Sequence, residues 1–152
     1  MHMELNKRIV AARDAESILA IVQAEHGTFN AVNAATACNR LAKTRKASSK
    51  GLRTDDHRVQ ALLSTVTRVS ATLRGREVSN TLWALATLGW QAGEGAMRSA
   101  LEGAAVRVAP SMNAQDVANT AWETEIRTAR PPRGLSWAAL AKQVLANWQT
   151  YR

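Results

Sequence analysis

The sequence predicts an all-α fold, an α-solenoid of about three stacked helix-hairpin repeats with a C-terminal closing helix. Three observations predict it. A motif recurs: Val78-Ser79-Asn80-Thr81-Leu82-Trp83 returns as Val117-Ala118-Asn119-Thr120-Ala121-Trp122, every residue 39 positions on. A weaker copy, Ala34-Ala35-Thr36-Ala37-Cys38-Asn39-Arg40-Leu41-Ala42, precedes the first by 44 positions. Apolar residues follow a helical period throughout, with no alternating strand pattern of useful length. A fixed spacing of about 20 to 50 residues marks stacked supersecondary units, and about three copies are needed for such a stack to support itself.

Each element follows from its own spacing. Leu5, Ile9 and Ala12 mark a short first helix. Ala15 to Glu25 carries Ile18, Leu19 and Val22 on one face and stops at Gly27. Asn30 or Asn33 caps a helix running to about Arg45. Asp55 or Asp56 opens the next, with Val59, Leu62, Leu63, Val66, Val69 and Leu73 at spacings of three and four, and Gly75 ends it. From Arg76 to Leu88, Val78, Leu82 and Leu85 lie on one side, with Trp83, Ala86 and Trp90 on another. A helix apolar on two sides needs neighbours on both. Ala96 to Val108 stops before Pro110, and Asn113 caps the helix that bears the last motif copy. Pro131-Pro132-Arg133-Gly134 breaks the chain. The final helix, about Ser136 to Tyr151, carries Trp137, Leu140, Ala141, Val144, Leu145 and Trp148 as a closing stripe. The expected organisation is a helical repeat domain at 1–126, with repeats at about 13–45, 55–89 and 93–127. A Pro/Arg linker at 127–134 and a capping helix at 135–152 follow.

Composition bounds the rest. The chain has 152 residues, 46% of them hydrophobic, too many for a disordered chain and enough to bury a core. The single cysteine, Cys38, rules out an internal disulfide and reads as a small packed residue. No stretch approaches the length of a membrane span. Lys and Arg number 20 against 12 Asp and Glu, a net charge of +8. That excess favours polyanionic partners, nucleic acid first. The N-terminus lacks a secretory apolar region, and Glu4, Asp14 and Glu16 argue against an organellar transit peptide.

At the repeated motif the chain resembles a known family. Arg76-Glu77-Val78-Ser79-Asn80-Thr81-Leu82-Trp83-Ala84-Leu85-Ala86-Thr87-Leu88-Gly89 and Met112-Asn113-Ala114-Gln115-Asp116-Val117-Ala118-Asn119-Thr120-Ala121-Trp122 resemble octotricopeptide repeats. These are degenerate helical repeats of algal and protist organellar RNA-binding proteins, related to FAST kinase-like proteins and to helical-repeat subunits of RNA-editing substrate-binding complexes. Leu5 to Val10 and Phe29 to Asn33 resemble the opening of such proteins, and the likeness extends over about residues 4–126. It implies a curved array of helix pairs that binds single-stranded RNA as a monomer. The array acts in RNA processing, stability or translation in a mitochondrion or chloroplast, without catalysis, cofactor or metal. One departure stands out: Ala84-Leu85-Ala86 is replaced by Glu123-Thr124-Glu125 in the last copy. Carboxylates buried unpaired cost on the order of several kcal/mol. That helix is therefore expected to fray after Trp122 or to form an exposed end.

Candidate sites divide into three groups. Asn80 and Asn119 share one register position and read first as structural amides bonding a neighbouring backbone, with direct base contact as the alternative. Trp83 and Trp122 read first as core, with base stacking as the alternative. The basic residues Arg40, Lys43, Arg45, Lys46, Lys50, Arg53 and Arg58 cluster against only Asp55 and Asp56, and Arg68, Arg74 and Arg76 follow. They form either a solvated surface or a stripe along aligned helix ends that tracks phosphate. Enzymatic constellations are missing: His2, His26 and His57 have no metal-ligand spacing, and Gly89, Gly93 and Gly95 lack the residues of a P-loop. A non-catalytic single-stranded-RNA binder leads. A scaffold that holds a protein partner in an RNA-processing complex, and a diverged fragment without activity, are the other readings.

Overall fold

The computed structural model describes residues 1–45, 52–90 and 95–120. All regular structure among them is helical: α1 (His2–Ala11), α2 (Ala15–Glu25), α3 (Ala31–Arg45), α4 (His57–Val69), α5 (Gly75–Leu88), α6 (Ala96–Val108), and α7, helical over 114–120. The expected linker at 127–134, the capping helix at 135–152, Trp122 and the Glu123/Glu125 pair lie outside the described residues.

Helix starts follow from side chains that satisfy the first free amides. Asp14 accepts from the Ser17 N–H at 2.7 Å and opens α2. Asp56 accepts from the Arg58 N–H at 2.8 Å and opens α4, so the second of the two candidate aspartates is the cap. One face of each helix is then buried: Leu5 and Ile9 on α1; Ile18, Leu19 and Val22 on α2; Val59, Leu62, Val66 and Val69 on α4. Consecutive odd-numbered helices pack together, α1 on α3 and α3 on α5, as do the even-numbered α2, α4 and α6. Helix α5 touches α3 and α6, which accounts for its apolar character on two sides. Cys38 is fully buried, and loss of hydration pushes its thiol up to about 12.

The path from each even helix to the next odd one repeats almost atom for atom. Helices α2, α4 and α6 each tighten into a three-residue 3-10 turn: His26–Thr28, Ser70–Thr72 and Ala109–Ser111. The last hydroxyl of each turn donates to a carbonyl three residues back: Thr28 to Glu25, Thr72 to Val69 and Ser111 to Val108, at 2.8–2.9 Å. A large apolar residue then dives into the core: Phe29, Leu73 or Met112, each at most 2% exposed. Burying such a side chain contributes roughly 1.5–3 kcal/mol. The next helix opens with a capping box. Asn30 and Asn33 exchange backbone-to-side-chain bonds at 3.2 and 2.9 Å, and Asn113 and Asp116 do so at 3.3 and 2.8 Å. Between them, Arg74 has no acceptor to offer, so only Glu77 contributes, at 3.0 Å from the Arg74 N–H. Asn33 is thus the partner of the cap, three residues inside.

A second contact ties each junction to the following pair of helices. Arg68, near the end of α4, donates through Nη2 to the carbonyls of His26 (3.0 Å) and Phe29 (3.1 Å). Arg107, near the end of α6, does the same to Ser70 (3.0 Å) and Leu73 (2.8 Å). In both cases the guanidinium reaches the carbonyl just past the turn and shares the turn's first carbonyl with a backbone N–H, that of Phe29 on His26 (3.2 Å) and that of Leu73 on Ser70 (3.3 Å). The N-termini of α3 and α5 therefore both lie beside the C-terminal end of α4. Beyond the C-termini of these helices, Trp90 Nε1 donates to the Leu52 carbonyl at 3.3 Å. Helices α3 and α5 run in the same direction.

Two expectations change. Gly75 opens α5 instead of ending α4, because the 3-10 turn has already reversed the chain. A Cβ at Gly75 would stand 3.2 Å from Met112 Cγ and 3.4 Å from Asp116 Oδ2, so the missing side chain lets the α7 start approach. There the Ser79 hydroxyl donates to the buried Asp116 at 3.2 Å. Trp90 is not on a helix face. Gly89 takes a left-handed conformation (φ 66°), with its N–H on the Ala86 carbonyl and the Trp90 N–H on that of Leu85. This Schellman ending folds Trp90 into the core.

Urea denaturation of three variants tests this packing. Arg107→Ala uncovers a partly buried carbonyl at Leu73 and lowers stability by about 1–2 kcal/mol. Gly75→Val overpacks the close approach and costs about 1–3 kcal/mol, whereas Gly103→Ala, in the interior of α6 with nothing within 4 Å, adds about 0.5–1 kcal/mol.

Candidate functional site

The basic candidates are built into the fold to different degrees. Arg53 is exposed and holds Asp55 in a two-pronged pair at 2.8 and 2.6 Å. This pair pushes the Arg53 pKa up and that of Asp55 down. Arg58, in the first turn of α4, grips Asp56 with Nη2–Oδ2 at 2.8 Å and also reaches Glu16 at the start of α2. Its own pKa is raised, first by Asp56 and then by Glu16. Arg40 on α3 donates through Nη2 to the Ala12 carbonyl at 2.9 Å, while its Nε is buried without a partner. Arg68 is engaged on His26 and Phe29 as described. Lys43, Arg74 and Arg76 are exposed. The Arg45 side chain, Lys46 and Lys50 lie outside the described residues.

These cations do not share one edge. Helix α3 has 15 residues and is therefore about 22 Å long. Arg40, Lys43, Arg53 and Arg58 gather near its C-terminal end, where α4 begins. Arg68, Arg74 and Arg76 gather at the opposite end, where α4 finishes and α5 begins. The hairpin itself separates them, because reversing the chain carries its two ends to opposite sides of the molecule.

The repeated amides and tryptophans take a different place. Asn80 is half-buried and makes no side-chain hydrogen bond with the described residues. Asn119 accepts from Gln115 Nε2 at 3.0 Å, one turn back on its own helix. Among the described residues, neither bridges to a neighbouring backbone. The bridging amide is Asn33, whose Nδ2 donates to the His2 carbonyl at 3.0 Å and lies 3.5 Å from Asn6 Oδ1. Trp83 is only partly buried and packs at the margin of the core; Trp90 is the tryptophan that fills it.

No family model, curated protein or solved structure matches this chain. The candidate site therefore stands on its own geometry. Among the described residues there is no group of three or more His, Cys, Asp or Glu placed to hold a metal ion. No helix among them is long and apolar enough to cross a membrane. Arg107 falls outside the sequence-predicted set, although it repeats the register of Arg68 at 39 positions, the spacing of the motif itself. Spacing was the available signal; basic charge alone pointed to solvent.

The Asp56–Arg58 contact makes stability acid-dependent. Hydrogen bonding to Arg58 holds the Asp56 carboxyl down to about 2, below its ordinary 3.8. A lowered folded-state value means the stabilisation is present above about pH 4 and is lost as pH falls toward 2. Asp56→Asn keeps a helix cap but removes the charge. Urea denaturation between pH 5 and pH 2.5 should show a loss smaller by about 0.5–1 kcal/mol in the variant than in the parent chain, after discounting for solvent screening.

Proposed function

We propose that this chain is a non-catalytic, single-stranded-RNA-binding protein built as an α-solenoid of stacked helix hairpins. The observation that carries this reading is the junction repeated at residues 25–33, 69–77 and 108–116. Hydroxyl, buried apolar residue and a side chain returned to the cap N–H recur there in the 44- and 39-residue register of the sequence motif. Repetition at atomic detail supports an array of equivalent units. An array presents equivalent side chains at regular intervals, as recognition of a repeating polymer requires.

The net charge of +8 supports a polyanion as that polymer. Lys43, Arg74 and Arg76 are the exposed cations best suited to phosphate, since Arg40, Arg53, Arg58 and Arg68 already serve carbonyls or carboxylates. The resemblance to octotricopeptide repeats adds a setting in organellar RNA processing, stability or translation.

With few repeats, affinity is weak and salt-sensitive. Fluorescence anisotropy with a randomised single-stranded RNA pool at two salt concentrations tests this, with double-stranded RNA as competitor. Saturable binding that prefers single strands is expected. Lys43→Ala and Arg76→Ala should each weaken binding to all sequences alike and reduce the salt slope by about 0.7, the share of one phosphate contact on a single strand. No binding at tens of micromolar in low salt overturns the proposal and leaves a protein-binding scaffold as the reading to pursue.

A further inference from the structure

The outward face of the odd-numbered helices has an order that the sequence motif does not reveal. On α3, Val32, Thr36, Asn39 and Lys43 are the exposed or half-exposed positions at spacings of four, three and four. They lie on one side of the helix. In the repeat register these become Arg76, Asn80, Trp83 and Thr87 on α5, all likewise exposed or half-exposed, and Gln115 and Asn119 on α7. The helices start at matching junctions, and α3 and α5 run parallel and in contact. Equivalent positions therefore fall into rows that cross the helices. One row reads Thr36, Asn80, Asn119, and the next reads Asn39, Trp83.

We propose that the row Thr36–Asn80–Asn119 reads unpaired RNA bases, one position per helix, with Trp83 beside it as a stacking platform. The assignment rests on the RNA-binding reading above and names the surface that carries it. Three observations point to it. Asn80 sits amid buried Val78, Ser79, Thr81 and Ala84 on a helix whose first turn holds its only acid, Glu77. Yet its amide, with two donors and an acceptor, bonds none of the described residues. Among the described residues, Asn119 bonds only along its own helix. A structural amide would be tied across helices, as Asn33 is. The face also carries no acidic side chain at any of these positions, and its rows are flanked by Arg76 at one end and Lys43 at the other. A strand laid across the helices would meet a cation on either side and neutral amides between.

The chemistry fits bases better than phosphates in the central rows. A primary amide matches the paired donor and acceptor on a base edge, and an indole face stacks on any base. Packed helices stand about 8–10 Å apart, and in other helical-repeat readers each repeat takes one base.

The test uses the full chain and eight-nucleotide homopolymers of uridine, cytidine and adenosine, measured by fluorescence anisotropy. Asn80→Ala should alter the ratio between the tightest- and weakest-bound oligomer by about three- to tenfold, with circular dichroism and the urea midpoint unchanged. Arg76→Ala should lower all three affinities together. Oligouridine carrying 4-thiouridine, irradiated in complex with the parent chain, should crosslink to peptides of α3 or α5 that contain Asn39, Asn80 or Trp83. Binding by the parent chain with unaltered ratios in Asn80→Ala, and crosslinks confined to other segments, would overturn the base-reading row while RNA binding stands. A parent chain that binds none of the oligomers overturns both and leaves the same face to a protein partner.

Discussion

Each time an even-numbered helix tightens into its 3-10 turn, it leaves carbonyl oxygens that the helix can no longer satisfy, and the rest of the structure depends on how they are met. Part of the answer is local. Thr28, Thr72 and Ser111 return their hydroxyls to the turn, and Phe29, Leu73 and Met112 anchor the chain in the core. At the first two turns a further donor comes from the next even helix, through Arg68 and Arg107. The absence of a side chain at Gly75 then sets how closely α7 can approach α5. Because the returning hydroxyl and the buried apolar residue recur at all three turns, α3, α5 and α7 start at matching positions.

The helices and most of their boundaries were legible in the sequence because burial follows the helical period directly. Val59 through Val69 could hardly be read another way, and Asn113 announced its own cap. The junctions were harder. Their bonds run between residues about 40 positions apart and use side chains, such as Arg68, that look like surface charge when read alone. Gly75 was misplaced for a related reason. Glycine commonly ends a helix, and only the approach of Met112 and Asp116 shows that here it starts one.

The candidate site was legible in a different way. Repetition identified Asn80 and Asn119, while among the described residues the amide that bonds the backbone of a neighbouring helix is Asn33. Sequence periodicity places a residue on a helix face without saying whether a neighbour covers that face. The same blindness affected charge. Arg40, Arg53 and Arg58 belong to a basic cluster on paper, while in the fold they hold a carbonyl or carboxylates. Net charge survives as a property of the whole chain, but the residues free to express it are fewer than the count suggests.

The arginine clamps also give the structure a direction in time. The carbonyls of Phe29 and Leu73 receive their side-chain donors from Arg68 and Arg107. During synthesis on a ribosome, these two carbonyls must stay hydrated until roughly forty more residues have emerged, near the typical length of one helical repeat. Assembly is then vectorial. Both of these junctions are provisional until the arginine of the following even helix arrives.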